Sequence, residues 1–134
     1  MEDLIACGAR ALTCLGLTVA VKWDVDVGDI VIVSREIRSE GTSYHYYLPP
    51  REEARTSQEL LRSVVDACEE LKAKHVVGPV FPTKVPYMVT AEAVERLREI
   101  GAAGIDMETT AVFSVGAYRG VRTAAAGGIG QVWQ

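Results

Sequence analysis

Apolar runs rich in β-branched residues alternate along this chain with segments of helical periodicity, and that alternation constrains the fold more than any other feature. Short apolar runs bounded by turn residues predict buried strands, whereas apolar residues spaced three and four apart predict helices. The predicted strands are residues 10–21, 30–37, 75–81, 102–107 and 121–130. The predicted helices are residues 2–9, 56–74, the segment between Thr90 and Gly101, and 108–118. This order predicts an α/β fold, a three-layer sandwich with a mixed, largely parallel central sheet.

Two of the helices carry sequence signals for their ends. Thr56 and Glu59 have the spacing of a capping box, and Thr90 is a suitable N-cap for the next helix. Gly101 and Gly120 are expected to stop the helices that precede them. The residues predicted to face inward are Leu4 and Ile5, then Leu60, Leu61, Val64, Val65, Cys68 and Leu71, then Val94, Leu97 and Ile100.

Length and charge restrict the classes of function. The chain has 134 residues and a formal net charge of −4, which suits one modest domain and gives no basic footprint for nucleic acid. No apolar run is long enough to span a bilayer, and the acidic N-terminal segment lacks the basic start of a signal peptide, so a cytoplasmic location is expected.

The cysteines and histidines do not predict a metal site. Cys7, Cys14 and Cys68 are an odd number without CxxC spacing, so reduced, buried thiols are expected. His45 and His75 are distant in sequence from the cysteines and from each other.

Three loops follow predicted strands and are expected to meet. Ligands of open α/β sheets bind at the carboxyl ends of the strands. One loop holds Tyr44 and His45, a second follows Phe81, and the third is the Asp106-Met107-Glu108 stretch. A binding site is therefore predicted where these loops converge.

Two long motifs resemble one enzyme family. VGDIVIVSREIRSEGTSYHYYLPP (residues 27–50) and GIDMETTAVFSVGAYRGVRTAAA (residues 104–126) resemble segments of nucleoside phosphorylases, especially of the uridine phosphorylase branch. GPVFPTKVPY (residues 78–87) is similar to the family's substrate-facing loop, and the three occur in the family's order. The resemblance covers nearly the whole chain but only part of the family's domain. It implies a single phosphorylase-like domain, residues 1–134, without the N-terminal part of the family fold.

The resemblance implies a chemistry and a set of site residues. Phosphate would cleave the glycosidic bond of a uridine-like nucleoside, giving free base and ribose 1-phosphate, with no cofactor beyond phosphate as co-substrate. Glu108 would accept hydrogen bonds from the ribose hydroxyls, a role suited to an ionised acceptor. Met107 would pack on the sugar face, Phe81 would lie near base and ribose, and Asp106 precedes the pair. His45 is a candidate for the edge of the sugar pocket.

The segment that corresponds to the family's phosphate motif differs from it. Where the family has Arg, Thr and a second Gly, this chain has Cys14, Leu17 and Val19, so a cation and a hydroxyl are replaced by apolar groups. Gly16 and Thr18 remain as phosphate-binding candidates. Weak phosphorolysis is therefore expected, and residues 131–134 offer no carboxylate to protonate a purine base.

Several alternatives stay open from the sequence. Glu108 is either a first-turn acid facing the helix dipole or the sugar ligand. For Asp106, a plain helix cap is favoured over a place in the sugar site. Phe81 is core or pocket lining, and His45 belongs to a packed loop, a subunit contact or the pocket edge. For the whole chain, the alternatives to a pentosyltransferase are a catalytically silent homologue that binds nucleoside or serves in assembly, and a hydrolytic nucleosidase. The last needs a base that the sequence does not name. A homo-oligomer is expected in each case.

Overall fold

A computed structural model describes residues 1–39, 41–46, 49 and 52–133. The described residues form five strands: β1 (Ala11–Ala20), β2 (Ile30–Glu36), β3 (His75–Pro82), β4 (Gly104–Asp106) and β5 (Arg122–Val132). The same part of the chain forms five α-helices: α1 (Glu2–Ala6), α2 (Thr42–His45), α3 (Gln58–Glu70), α4 (Ala91–Glu99) and α5 (Thr109–Arg119). A short 3-10 helix spans Pro86–Met88. The predicted alternation of strands and helices is confirmed, with α2 added inside the segment predicted as the loop 38–50. Residues 40, 47, 48 and 50 of that loop, and Gln134, lie outside the described residues.

The five strands close into a barrel in the order β1-β4-β3-β2-β5, with β5 returning to β1. β1 pairs in parallel with β5 along its whole length, from Ala11 opposite Arg122 to Ala20 opposite Val132. Its far end pairs antiparallel with β4. The sheet is mixed, as predicted, because β2–β3 and β3–β4 are parallel whereas β2–β5 is antiparallel. The expected three-layer sandwich is not confirmed, since pairing of β1 with both β4 and β5 joins what would be the two edges of an open sheet.

Small residues allow the closure around Thr18. Its side chain is 4% exposed and lies between the backbones of β4 and β5. A Cβ built at Gly104 would meet the Thr18 methyl group, and one built at Gly127 would meet its hydroxyl. Glycine is therefore required at these two positions by the close approach of the strands.

Two apolar clusters hold the helices to the sheet. The larger one packs Phe113 of α5 against strand residues; it comprises Ala20, Val25, Val31, Val33, Ala54, Val80, Ala103, Phe113, Ala125 and Ile129. The smaller one packs Val94 and Leu97 of α4 against Val21, Ala102 and Ile105. Burial of this apolar surface is the main stabilising term for the fold.

The predicted helix ends are partly confirmed. Thr90 caps α4 by accepting a hydrogen bond of 3.2 Å from the Ala93 N–H. Gly101 and Gly120 have φ values of 78° and 65°, the left-handed conformation that ends a helix. The capping box at Thr56 is wrong. The Thr56 hydroxyl donates instead to the Thr123 carbonyl at 3.1 Å, and Ser57 becomes the N-cap of α3.

Some residues predicted to be buried are exposed. Leu4 is 56% exposed, Ile100 55% and Leu71 80%. Of the three cysteines expected to be buried, only Cys68 is; Cys7 is exposed and Cys14 is half-buried. The N-terminal part of β1 is likewise not a buried strand, and Leu15 and Leu17 are 77% and 75% exposed. In the described part of the chain, no helix has both the length and the apolarity needed to cross a membrane.

Candidate functional site

A cleft of about 610 Å³ opens where β1, β4 and β5 meet. The carboxyl end of β4 lies at this cleft, and the chain continues from there into α5 through Asp106, Met107 and Glu108. The residues that line the cleft are Cys14, Leu15, Gly16, Leu17, Thr18, Val19, Pro86, Ile105, Asp106, Met107, Glu108, Gly130 and Gln131. Apolar side chains predominate, and the charged residues are two carboxylates.

Asp106 is the last residue of β4 and the more buried of the two acids. Its Oδ2 accepts a hydrogen bond from the Thr109 hydroxyl, and its main-chain oxygen accepts one of 2.8 Å from the Thr83 N–H. Its Oδ1 is buried and finds no hydrogen-bond partner among the described residues. Burial raises the pKa of Asp106 to about 6; the bonds from Thr109 oppose this shift, and the negative charges of Glu108 and Glu36 add to it. Asp106 thus holds Thr109 at the start of α5, while its second carboxylate oxygen is shielded from solvent.

Glu108 is the exposed acid of the site. It is the N-cap residue of α5 by position, but its side chain makes no capping hydrogen bond. Its Oε2 accepts a bond of 3.2 Å from the Met107 N–H. Met107 is 49% exposed and lines the same cleft. The three consecutive residues predicted to hold the sugar therefore lie together, with the Glu108 carboxylate accessible to a ligand.

The two phosphate-binding candidates lie in the same cleft on β1. Gly16 has open space where a Cβ would project. Thr18 is buried, with its hydroxyl against Gly127. Cys14 lies beside them, and burial raises the pKa of its thiol, with Glu108 and Asp106 adding to the shift. None of the described residues that line the cleft is Lys, Arg or His.

Phe81 and His45 are not brought to the cleft. Phe81 is half-buried and packs against the cluster of Val94, Leu97 and Ile105, so the core alternative describes its position. His45 is exposed at the end of α2. Neither residue lines the cleft, so a role of either in binding a substrate remains a prediction.

The structure adds cleft residues that the sequence analysis did not select. Gln131 and Gly130 reach the cleft because β5 runs beside β1, with a register shift between Thr18 and Val19. Pro86, which belongs to the segment 78–87 that resembles the family's substrate-facing loop, forms another part of the wall. Gly130 and Gln131 could not be selected from the sequence, because the parallel pairing of β1 with β5 leaves no local sequence signal.

Comparison with known proteins identifies the family. Residues 2–130 match the phosphorylase superfamily, so the chain belongs to that family. It is similar to a guanosine phosphorylase of Halorubrum lacusprofundi, with 27% identity over 125 residues, 93% of this chain and 52% of that protein. It is similar to a uridine phosphorylase of Thermococcus kodakarensis, with 24% identity over 135 residues, 91% of this chain and 48% of that protein. A DeoD-type purine nucleoside phosphorylase of Bacillus cereus is 31% identical over 116 residues, 85% of this chain and 48% of that protein.

The chain spans about half the length of the curated relatives it matches. These relatives are named for different bases, since guanosine, uridine and purine nucleoside phosphorylases are all represented. Within the described residues, no group of three or more His, Cys, Asp or Glu side chains is placed to hold a metal ion.

Proposed function

We propose that this chain binds a nucleoside in the cleft at Asp106, Met107 and Glu108 and breaks its N-glycosidic bond as a pentosyltransferase. The observation that carries the proposal is the exposed Glu108 carboxylate at the wall of a cavity large enough for a nucleoside. An ionised acceptor pairs with two sugar hydroxyls through charge-assisted hydrogen bonds, and Met107 gives the apolar surface on which a sugar face packs. Membership of the phosphorylase superfamily supports the same chemistry.

We take the nucleoside to be uridine-like, following the motifs at residues 27–50 and 104–126. Phosphate is the acceptor that the family implies, and no other cofactor is proposed. We expect phosphorolysis to be slow, because the described cleft residues provide no cation to neutralise the anion. The remaining groups that could bind phosphate are the backbone and side-chain hydrogen-bond donors of Gly16, Thr18 and Gln131.

A catalytically silent nucleoside-binding homologue is the second candidate. The observation that favours it is the replacement of the expected cation by Cys14, whose thiol carries no charge that could hold phosphate. Such a protein would keep the sugar contact at Glu108 and lose turnover.

One experiment separates these candidates. Thermal unfolding of the protein is measured with uridine, guanosine and adenosine, and base release is followed with each. We expect uridine to raise the melting temperature and to release uracil slowly. Stabilisation without base release would support the silent homologue, and a melting temperature unmoved by every nucleoside would overturn the site.

Assembly into a homo-oligomer and a cytoplasmic location remain parts of the proposal. The exposed Leu15 and Leu17 beside the cleft are consistent with a covered surface. Light scattering of the purified chain tests the first of these.

A further inference from the structure

We propose that the unpaired edge of β1, residues 11–17, forms an antiparallel pair with the same edge of a second copy of this chain. A two-fold axis at Cys14 relates the two copies, and the pairing closes the cleft. The inference goes beyond the proposed function, because the association itself requires no nucleoside. It names the surface through which a homo-oligomer forms.

Residues 11–17 are paired on one side only. β5 lies beside them along their whole length. On the other side, β4 pairs with Val19 and Ala20, and the described residues provide no strand next to residues 11–17. None of these residues is buried, although Leu12, Leu15 and Leu17 are among them. This part of β1 is therefore an apolar strand edge open to solvent.

The main-chain groups that point to the open side can be identified from two hydrogen bonds. Successive residues of a strand direct their N–H and C=O groups to alternate sides. The Arg122 N–H donates to the Arg10 carbonyl at 3.2 Å, so Arg10 faces β5. The Val21 N–H donates to the Ala103 carbonyl at 3.1 Å, on the opposite side. Counted back in steps of two from Val21, the residues whose groups point to the open side are Ala11, Thr13, Leu15 and Leu17.

The sequence of this edge does not protect it against pairing. Proteins protect exposed edges with charged residues, prolines or bulges. Residues 11–17 contain no charged residue and no proline. The irregularity in the pairing of β1 with β5 lies beyond them, between Thr18 and Val19. A long, uncharged edge with exposed leucines is a template for another strand.

The segment is complementary to itself. With the two-fold axis at Cys14, Ala11 of one copy lies opposite Leu17 of the other, and Thr13 lies opposite Leu15. Each outward-facing residue then belongs to a hydrogen-bonded pair, which gives about eight hydrogen bonds between the copies, two for each pair. The exposed side chains of Leu15 and Leu17 pack against the second copy at the same time. A self-complementary surface of this kind is what a two-fold dimer requires.

Charge also favours a second copy as the occupant. The same register places Arg10 of one copy opposite Thr18 of the other. Thr18, Asp106 and Glu108 line one recess of the cleft. Arg10 is exposed and lies an even number of residues from Thr18, so both side chains are on the same face of the strand. The two-fold axis repeats this contact, and each copy brings a cation towards the two carboxylates of the other.

The association is tested by analytical ultracentrifugation of the unmodified protein over a range of concentrations, where we expect a reversible monomer–dimer equilibrium. Leu15→Lys puts a charge on the edge and should weaken association by more than about tenfold. Leu71→Lys is the control, because Leu71 is 80% exposed against 77% for Leu15 and follows α3; it should leave association unchanged. A chain that stays monomeric at millimolar concentration, or equal weakening in both variants, would overturn the pairing.

Cys14 provides a second test that does not depend on the lysine variant. In the proposed register it lies opposite itself in a non-hydrogen-bonded pair, with Cα atoms about 4.5 Å apart, a distance that a disulfide spans. We expect oxidation with copper phenanthroline to link the dimer in the unmodified protein and in Cys7→Ser, but not in Cys14→Ser. Cys7 is the exposed cysteine and serves as the control. A dimer that is never linked through Cys14 would overturn the register.

The closure of the cleft is the part of this inference that rests on the proposed function. Cys14, Leu15 and Leu17 line the cleft, so a strand paired with them takes space that a nucleoside needs. We therefore expect saturating uridine to weaken the dimer by more than about tenfold. Uridine that raises the melting temperature and leaves the dimer intact would overturn the closure. A dimer linked through Cys14 in a protein that binds no nucleoside would support the pairing and remove the proposed function.

Discussion

At the scale of single residues, Glu108 separates a ligand-binding role from a structural one. It is exposed and makes no side-chain capping bond, so its removal costs its interaction with the helix dipole, about 0.3–1 kcal/mol, and one exposed hydrogen bond from the Met107 N–H. We therefore expect Glu108→Ala to fold normally and to lose the rise in melting temperature that uridine causes. Thermal unfolding with and without uridine measures both effects.

Glu92→Ala is the matched control for this prediction. Glu92 is an exposed first-turn acid of α4 and does not line the cleft. It should cost a similar amount of stability and leave the response to uridine intact. If Glu108→Ala kept the full response, the sugar contact would be wrong.

Cys14 marks the position at which a cation is missing. Its thiol is close enough to Glu108 and Asp106 for both to raise its pKa. A guanidinium there would face both carboxylates and attract phosphate, so we expect Cys14→Arg to increase the stimulation of base release by phosphate about tenfold. Thr13→Arg adds the same charge one residue earlier, outside the cleft lining. Equal stimulation in both variants would mean that net charge, rather than position, governs the response.

Asp106 also links stability to pH. Its pKa of about 6 in the folded protein exceeds the ordinary value of 3.8, so the folded state binds the proton more tightly. The contribution of this group is therefore full below about pH 4 and declines, by at most about 3 kcal/mol, as pH rises to about 6.

Asp106→Asn should flatten that part of the pH dependence. Urea unfolding at several pH values between about 4 and 7 measures the free energy of unfolding of both proteins. A slope that is the same with and without the carboxyl group would show that the pKa of Asp106 is not raised in the folded state.

At the scale of elements, the paired strands β1 and β5 give an internally controlled test of close packing. Gly16 and Gly127 lie opposite each other in the register of these strands. A Cβ at Gly127 would meet the Thr18 side chain, whereas one at Gly16 would enter open space. We expect Gly127→Ala to destabilise the protein by about 1–3 kcal/mol and Gly16→Ala by less than about 1 kcal/mol, measured by urea unfolding. Equal costs would contradict the close approach around Thr18.

The elements also show which structural signals are local. Thr90 and Gly101 were predicted correctly as helix ends because a cap needs only the residues next to it. Thr56 was assigned wrongly because its hydroxyl bonds to Thr123 of β5, a partner from a distant part of the chain. Likewise the sequence predicts that Asp106 and Glu108 share a site, but not that Gln131 joins them.

At the scale of the whole molecule, Arg98 ties distant segments together. Its Nε donates to the Val21 carbonyl at 2.6 Å and its Nη2 to the Trp133 carbonyl at 2.9 Å, and its Nη1 bonds to Glu95. The guanidinium also lies 3.7 Å from the ring centre of Trp23. One planar side chain thus joins α4 to the ends of β1 and β5.

Arg98→Lys should therefore weaken the whole fold. An ammonium group cannot make these bonds at once, so we expect a loss of about 2 kcal/mol in the free energy of unfolding. Arg96→Lys, at an exposed ion pair on the same helix, should cost less than about 0.5 kcal/mol. Urea unfolding followed by tryptophan fluorescence compares the two variants. Similar losses would mean that the bonds of Arg98 to the ends of β1 and β5 do not stabilise the fold.

The closure of the sheet could not be predicted from the sequence, and the reason is physical. Apolar periodicity predicts that a strand forms and which of its faces is buried, but the choice of partner depends on contacts across the chain. β1 pairs with β5 and β4, both more than eighty residues later, and no composition signal records such a choice.

This pairing fixes an order of events during synthesis. β1 leaves the ribosome first, yet both of its neighbours are translated at the far end of the described chain. Until they emerge, its leucines have no strand beside them, and contacts between distant residues form slowly. The nascent chain must therefore carry an unpaired, apolar segment while the residues between β1 and β4 are translated, a stage at which a chaperone has the most to protect.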